Sequence, residues 1–195
     1  MTPPIGVLAL QGDFALHAQA LARLGVPSVE VRKPGELAQV AGLIIPGGES
    51  TTLLKLMDAW DFVPALEKFH AAGAPIFGTC AGLILLARDV ERPAQRSLGF
   101  IDITAERNAY GRQKESFETE VQADLGQGPR PIKAVLIRAP RIRRLGPGVT
   151  SLVEREGECL MARQGGVLVA SFHPELTDDP SVHRYFLEMV RSSGS

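Results

Sequence analysis

The segment Ala74–Ala87, APIFGTCAGLILLA, decides how the rest of the chain is read. Its Ile76-Phe77 pair is an apolar run too short for a helix and bounded by Pro75 and Gly78, so it reads as a buried parallel strand. Gly78-Thr79-Cys80-Ala81-Gly82 follows, and then Leu83–Ala87, a helix apolar on nearly every side. Strand, tight turn and buried helix put Cys80 at the apex of a Gly-x-Cys-x-Gly pattern, the form of a nucleophile elbow. Small flanking residues let the backbone take a strained turn and let a substrate come close. The helix N-terminus behind the sulfur favours thiolate. The competing reading is a buried structural Cys between two packing glycines, and five residues alone do not separate the two.

Working outward toward the N-terminus, strands and helices alternate. Ile5–Leu10 is a continuous apolar run, a strand buried on both faces and ending at Gln11-Gly12. Asp13 can cap a helix carrying Leu16, Ala20 and Leu24, which Gly25 stops. Ser28–Val31 and Leu43-Ile44-Ile45 are further strands, the latter running into Pro46-Gly47-Gly48-Glu49-Ser50. A helix starts at Ser50, and Asp61 can cap another that Gly73 ends. Alternation of this kind implies a mostly parallel sheet with helices on both faces, a three-layer α/β fold. Ligands bind such sheets outside the carboxyl ends of the strands. The turns at 46–50 and 78–82 should therefore face one crevice.

Beyond the elbow the pattern changes. Leu98–Glu106, Phe117–Gln122, Ile132–Ile137 and Val149–Glu154 read as strands with few helices between, hence a small antiparallel extension. Segments 107–116 and 126–131 read as polar loops. Val167–Phe172 is another buried strand, and Asp179-Pro180 opens a last helix with Val182, Phe186 and Met189 inward. The whole chain, 1–195, is expected to form a single domain.

Composition narrows the function. A net charge of −1 leaves no basic footprint for nucleic acid or a membrane surface. Two Cys residues, Cys80 and Cys159, are no disulfide framework. The N-terminal MTPPIGVLALQGD has no signal-peptide form, so a cytoplasmic setting is expected. No His, Cys or Asp pair has metal-ligand spacing, so no metal is expected. Cys159 reads as inert filler in a strand.

A Cys nucleophile needs a base, and the base gains from a carboxylate that orients it. His173 follows an apolar strand, so it should share the sheet's carboxyl edge with Cys80, and Glu175 stands two residues on. With Pro174 between them the local chain should be stiff and extended. His17, His70 and His183 fall in expected helices and read as surface or packing residues. Gly47-Gly48 can turn a backbone N–H of Gly48 toward a developing oxyanion, with the Ala81 N–H as the second donor. PGGES could also hold a phosphate, but it lacks the Lys of a P-loop.

Taken together, Leu10-Gln11-Gly12, PGGESTT at 46–52, FGTCAGL at 77–83, ERNAYGR at 106–112, IRAP at 137–140 and SFHPELT at 171–177 resemble, in order and spacing, one family. It is the glutaminase subunit family of the pyridoxal 5′-phosphate synthase complex, within the triad (class I) glutamine amidotransferases of flavodoxin-like fold. The resemblance runs from about Ile5 to Met189. It implies that Cys80 attacks the side-chain amide of L-glutamine, His173 shuttles the proton and Glu175 orients His173. Gly48, Glu49, Ser50, Arg107, Ile137 and Arg138 match positions that hold glutamine, Arg107 facing its α-carboxylate. No cofactor is implied. The implied partner is a (β/α)₈-barrel synthase subunit, in a dodecameric core with glutaminase subunits docked around it and needed to complete the oxyanion hole. Gln11 and its neighbours at 12–18 are expected to form part of the docking surface. Two other readings stay open on residues alone: a different hydrolase or redox-responsive protein with an elbow Cys, and a non-catalytic binding subunit.

Overall fold

A computed structural model describes residues 3–107 and 116–194. The first half is β1 (Ile5–Leu8), α1 (Phe14–Arg23), β2 (Ser28–Val31), β3 (Gly42–Ile45), α2 (Ser50–Ala59), α3 (Phe62–Ala71), β4 (Ile76–Thr79) and α4 (Ala81–Leu86). The second half is β5 (Ala87–Glu91), β6 (Ile101–Glu106), β7 (Ser116–Asp124), β8 (Pro129–Ile137), β9 (Arg141–Leu145), β10 (Thr150–Arg155), β11 (Glu158–Gln164), β12 (Val167–Ala170) and α5 (Ser181–Ser193).

The main sheet has nine strands in the order β2-β1-β3-β4-β12-β11-β10-β7-β8. From β2 to β12 every pairing is parallel, and from β12 outward every pairing is antiparallel. The central strands β1, β3, β4 and β12 are all-buried runs because each face is covered, and their side chains alternate between two cores. Leu43, Ile45, Ile76, Val167 and Val169 point to the core built with α2, α3 and α4. Ile44, Phe77, Leu168 and Ala170 point to the core shared with α1 and α5. Val182, Phe186 and Met189 of α5 are all buried, as the stripe predicts. Each large apolar side chain so covered contributes roughly 1.5–3 kcal/mol relative to exposure. No helix among the described residues is long and apolar enough to cross a membrane.

Several boundaries differ from expectation. The extension is richer than the sequence suggests: β5 and β9 join β6 in a separate three-stranded sheet. β5 begins at the residue after α4 with no turn residue between, and β9 is RIRRL, whose charges hide its pairing with β6. Pro129–Pro131, expected in a loop, already belong to β8, paired with the far end of β7. Neither Asp13 nor Asp61 makes a side-chain cap. A cap does form at α2, where the Glu49 carboxylate accepts from the Thr51 and Thr52 N–H groups. Of the expected 107–116 loop and the ERNAYGR stretch, 108–115 lie outside the described residues.

Candidate active site

Three neighbouring parallel strands deliver the chemistry to one rim. β3 ends at Pro46-Gly47-Gly48, β4 ends at Cys80, and β12 is followed by His173. Register locks them together, with Ile45 opposite Gly78 and Thr79 opposite Ala170. The Cys80 N–H then donates to the Ala170 carbonyl at 2.9 Å, tying the elbow to the strand that leads to the histidine.

The elbow is strained, as its sequence implies. Cys80 has φ 49° and ψ −101°, a region that side-chain-bearing residues avoid. The turn closes so tightly that a Cβ at Gly78 would lie 2.6 Å from the Gly82 backbone, and one at Gly82 would collide with the Ile45 carbonyl. Only glycines fit, and α4 can then start directly behind the sulfur. Its first residue, Ala81, has an N–H with no acceptor inside the helix, which leaves it free for an oxyanion.

Cys80, His173 and Glu175 are 8%, 4% and 4% exposed. Cys80 lies beside the His173 ring on one side, both side chains meeting at Gly47 and lining the same cavity. On the other, its Nδ1 lies 2.6 Å from Glu175 Oε1. Burial by itself would lower the basicity of His173, but its hydrogen bonds to Cys80 and Glu175 and their charge outweigh burial and raise its pKa to about 10. Burial likewise works against ionisation of Glu175, yet His17 and His173 hold its pKa below the usual carboxylate value. The expected extended His-Pro-Glu is corrected here: Pro174–Leu176 form a 3₁₀ turn. That turn folds the carboxylate back onto the ring, which an extended chain would hold further away.

The site opens into a cavity of about 380 Å³. Gly48, Glu49, Ser50, Arg107, Ile137 and Arg138, the expected glutamine-holding residues, all line it beside Cys80 and His173. Arg138 has φ 42°, a second strained residue on the same wall. Arg107 Nη2 stands 3.7 Å from Glu49 Oε1. The Glu49 carboxylate is thus committed to its cap and to Arg107, and the hydrogen bonds from Thr51 and Thr52 hold its pKa down at about 2. Ser50 Oγ donates to Gln95 Oε1 at 2.9 Å. A Cβ on Gly47 would come within 2.6 Å of His173 Cε1, so the histidine needs the bare backbone there.

Sequence reasoning missed two sets of residues. Gln11 Oε1 accepts from the Glu49 N–H at 3.0 Å, and the Asp13 N–H donates to the Gly47 carbonyl at 3.2 Å. The turn after β1 therefore clamps the glycine turn, and both residues line the cavity. The second set is two of the histidines read as surface or packing groups, for which the structure bears out packing and adds a polar contact. His17 and His183 are 0% and 1% exposed, and His17 lies against Glu175. The one available signal was that His17 stands four residues after Asp13, on the first turn of a helix leaving the same rim. His70 is half-buried and stacked on Phe100, away from the site. Cys159 is buried in β11, where burial pushes its thiol up, so it has none of the elbow's features.

Among the described residues one grouping could hold a metal, with ligand atoms of Asp13, His173 and Glu175 all within 4.8 Å of one another. Two of its three members are already bonded to each other, and a metal would have to break that bond.

The chemistry of this arrangement is acyl transfer: a thiol at a strained elbow, a base raised by its partners, and N–H donors where an oxyanion would form. Comparison with known proteins agrees. The model of the SNO glutamine amidotransferase family matches residues 7–192. The pyridoxal 5′-phosphate synthase subunit PdxT of Koribacter versatilis is 53% identical over 191 residues, covering 98% of this chain and 97% of that one. PdxT of Desulforudis audaxviator is 49% identical over 186 residues, covering 95% and 98%. A crystal structure of a glutamine amidotransferase superposes with a TM-score of 0.90 at 48% identity, covering 96% of this chain and 98% of that one.

Proposed function

This chain belongs to the SNO glutamine amidotransferase family, and from that premise we propose that Cys80, His173 and Glu175 carry out its amide hydrolysis. The protein is a glutaminase subunit of pyridoxal 5′-phosphate synthase, converting L-glutamine to L-glutamate and ammonia for vitamin B6 synthesis. It acts with a synthase subunit as a complex. That the partner is a (β/α)₈ barrel, in a dodecameric core with glutaminase subunits docked on it, is the finer part of the proposal.

The geometry supports the following steps. The Cys80 sulfur, its proton taken by His173, attacks the amide carbon of glutamine. The carbonyl oxygen becomes an oxyanion, held by the Ala81 N–H and by the Gly48 N–H once that peptide faces it. His173, kept protonated by Glu175, gives its proton to the leaving nitrogen, and the C–N bond breaks. Ammonia leaves, and a glutamyl thioester stays on Cys80. His173, now neutral, takes a proton from water; the hydroxide oxygen attacks the thioester, the C–S bond breaks, and glutamate departs. Arg107, placed in the cavity wall, is suited to the substrate α-carboxylate.

One observation carries this reading: His173 sits between Cys80 and Glu175 at the mouth of a cavity lined by every expected glutamine-holding residue. The test is glutamate release from glutamine by the purified chain mixed with its synthase subunit. Release that a Cys80→Ala variant does not share is expected; equal release from that variant would remove the proposal.

A further inference from the structure

The mechanism uses one oxygen of Glu175 and leaves the other unexplained. Glu175 Oε2 is buried and makes no hydrogen bond among the described residues. The group that faces it is His17 Nε2, at 3.4 Å. His17 Nε2 is also 3.2 Å from Thr79 Oγ1, on the residue before the nucleophile. His17 Nδ1 is 3.0 Å from His183 Nε2. The outer nitrogen, His183 Nδ1, is buried without a partner among the described residues. Both histidines are closed off from the surface, at 0% and 1% exposure, and Phe77 meets their rings edge-on, at 6.3 Å and 6.2 Å between centroids.

Two tautomer arrangements are open to this buried chain, and they differ in what faces the carboxylate. If His17 carried its proton on Nδ1, it would donate to His183, whose own proton would then sit on Nδ1. That leaves a buried N–H with no acceptor and turns the His17 Nε2 lone pair toward a carboxylate. A buried donor left without an acceptor is costly. If His183 Nε2–H donates to His17 Nδ1 instead, His17 carries its proton on Nε2, where it bonds Thr79 Oγ1 and lies 3.4 Å from Glu175 Oε2. A bare His183 lone pair remains unused and the Thr79 hydroxyl accepts rather than donates, but the buried carboxylate then faces a donor instead of a lone pair, which favours this tautomer. A charged His17 is opposed by burial, which pushes its pKa down against the pull of Glu175, and burial takes His183 down to about 3.

We propose that His17 is a positioning residue for glutamine hydrolysis: its Nε2–H faces the otherwise unpartnered second oxygen of Glu175 and steadies that carboxylate, and His183 sets the tautomer that puts the proton there. The proposal rests on the assignment of Cys80, His173 and Glu175 given above. Glu175 is then held from both sides by imidazole N–H groups, one that reacts and one that does not. Because His17 is neutral, it steadies the carboxylate without cancelling the charge that His173 relies on. The charged and titratable groups around His173 are Cys80, Asp13, Glu175 and His17; around His17 they are Glu175, His173, Asp13 and His183, with Arg23 acting on His183.

The experiment compares wild type, His17→Phe and His17→Gln in complex with the synthase subunit, with kcat expressed per active site titrated by a glutamine-like electrophile. His17→Phe keeps the ring and loses the donor; it should lower kcat by about 10- to 100-fold, the scale of a misplaced catalytic group. KM should stay within about threefold, since His17 does not reach the cavity. With Glu175 loosened, the His173 imidazolium loses support, so the basic limb of the kcat profile should move down by about one pH unit. His17→Gln, whose amide N–H can occupy the Nε2 position, should restore most of kcat and return the limb. An unchanged kcat per titrated site in His17→Phe overturns the proposal, as does a loss with an unmoved limb that glutamine fails to rescue. If His17→Phe does not fold, ¹⁵N shifts of the native histidines decide: a neutral His17 protonated on Nε2 supports the proposal, and Nδ1 protonation or an imidazolium near neutral pH overturns it. Cys80→Ala is measured in parallel. Were it active, the triad assignment would fail, a result separate from any His17 outcome.

Discussion

Replacing Cys80 by glycine and by alanine separates what the nucleophile's position costs from what its sulfur does. At φ 49° and ψ −101° the Cys80 backbone lies where any Cβ is strained, a cost of about 1–3 kcal/mol. Both variants lose the sulfur and its interaction with His173, so that loss cancels between them. Going from Ala to Gly releases the strain. Against this stand about 0.4–1 kcal/mol for the freer unfolded chain and about 0.8 kcal/mol for one buried methyl. Taking the middle of each range, the glycine variant comes out more stable by about 0.5 kcal/mol. An unstrained buried position gives the opposite sign. Ala20, buried in the middle of α1, is such a position, and Ala20→Gly should cost about 1.5 kcal/mol. The difference between the two Ala-to-Gly steps isolates the strain, about 2 kcal/mol. Urea unfolding followed by circular dichroism, with m-values compared to confirm a common unfolded state, is the assay. Glutamine hydrolysis should be absent from both Cys80 variants. If Cys80→Gly proved less stable than Cys80→Ala by as much as the Ala20 control, the elbow would hold no strain and the argument would be wrong.

Gly47→Ala should leave the fold intact but push the His173 ring aside, because its Cβ would lie 2.6 Å from Cε1; kcat should fall about 100-fold, and an unchanged kcat would count against this packing. Glu49→Ala removes the cap of α2 and should cost about 1 kcal/mol in urea unfolding. Because hydrogen bonds depress its pKa to about 2, the Glu49 contribution is present above its ordinary value of 4.5 and is lost as pH falls toward 2. Stability should also peak near pH 6.5. His183, lowered from 6.5 to about 3, makes the unfolded chain bind the extra proton below that pH, a loss of about 2 kcal/mol between pH 7 and pH 5. His173, raised to about 10, works the other way: its contribution is whole below 6.5 and drains away as pH rises toward 10. Urea midpoints across pH test both arms, and His183→Phe should flatten only the acid one.

The parallel half of the fold was legible because its strands are short apolar runs with glycine or proline at their ends, and Ser28–Val31 appears where it was read. The elbow and His173 were legible for the same reason, as residues stranded at the ends of such runs. What hid the rest was local. β9 has three arginines in five residues, and its strand character comes from pairing with β6 rather than from its own propensity. The 3₁₀ turn at Pro174 is set by its surroundings; the Thr177 hydroxyl closes it onto the Pro174 carbonyl at 3.2 Å. His17 could not be promoted from the sequence, because a histidine on a helix looks the same whether it faces solvent or a carboxylate contributed from residue 175. Its role depends on α1 and α5 being laid against the same face of the sheet.

The central claim is that glutamine is opened by the sulfur of Cys80. The direct measurement is acid quenching of the working complex during turnover, followed by mass spectrometry of its peptides. A glutamyl group on the peptide carrying Cys80, absent in Cys80→Ala and accumulating when His173 is replaced by a weaker base, is the predicted result. Glutamate formed at the wild-type rate with no adduct on that peptide, or an adduct on Cys159 instead, would contradict it.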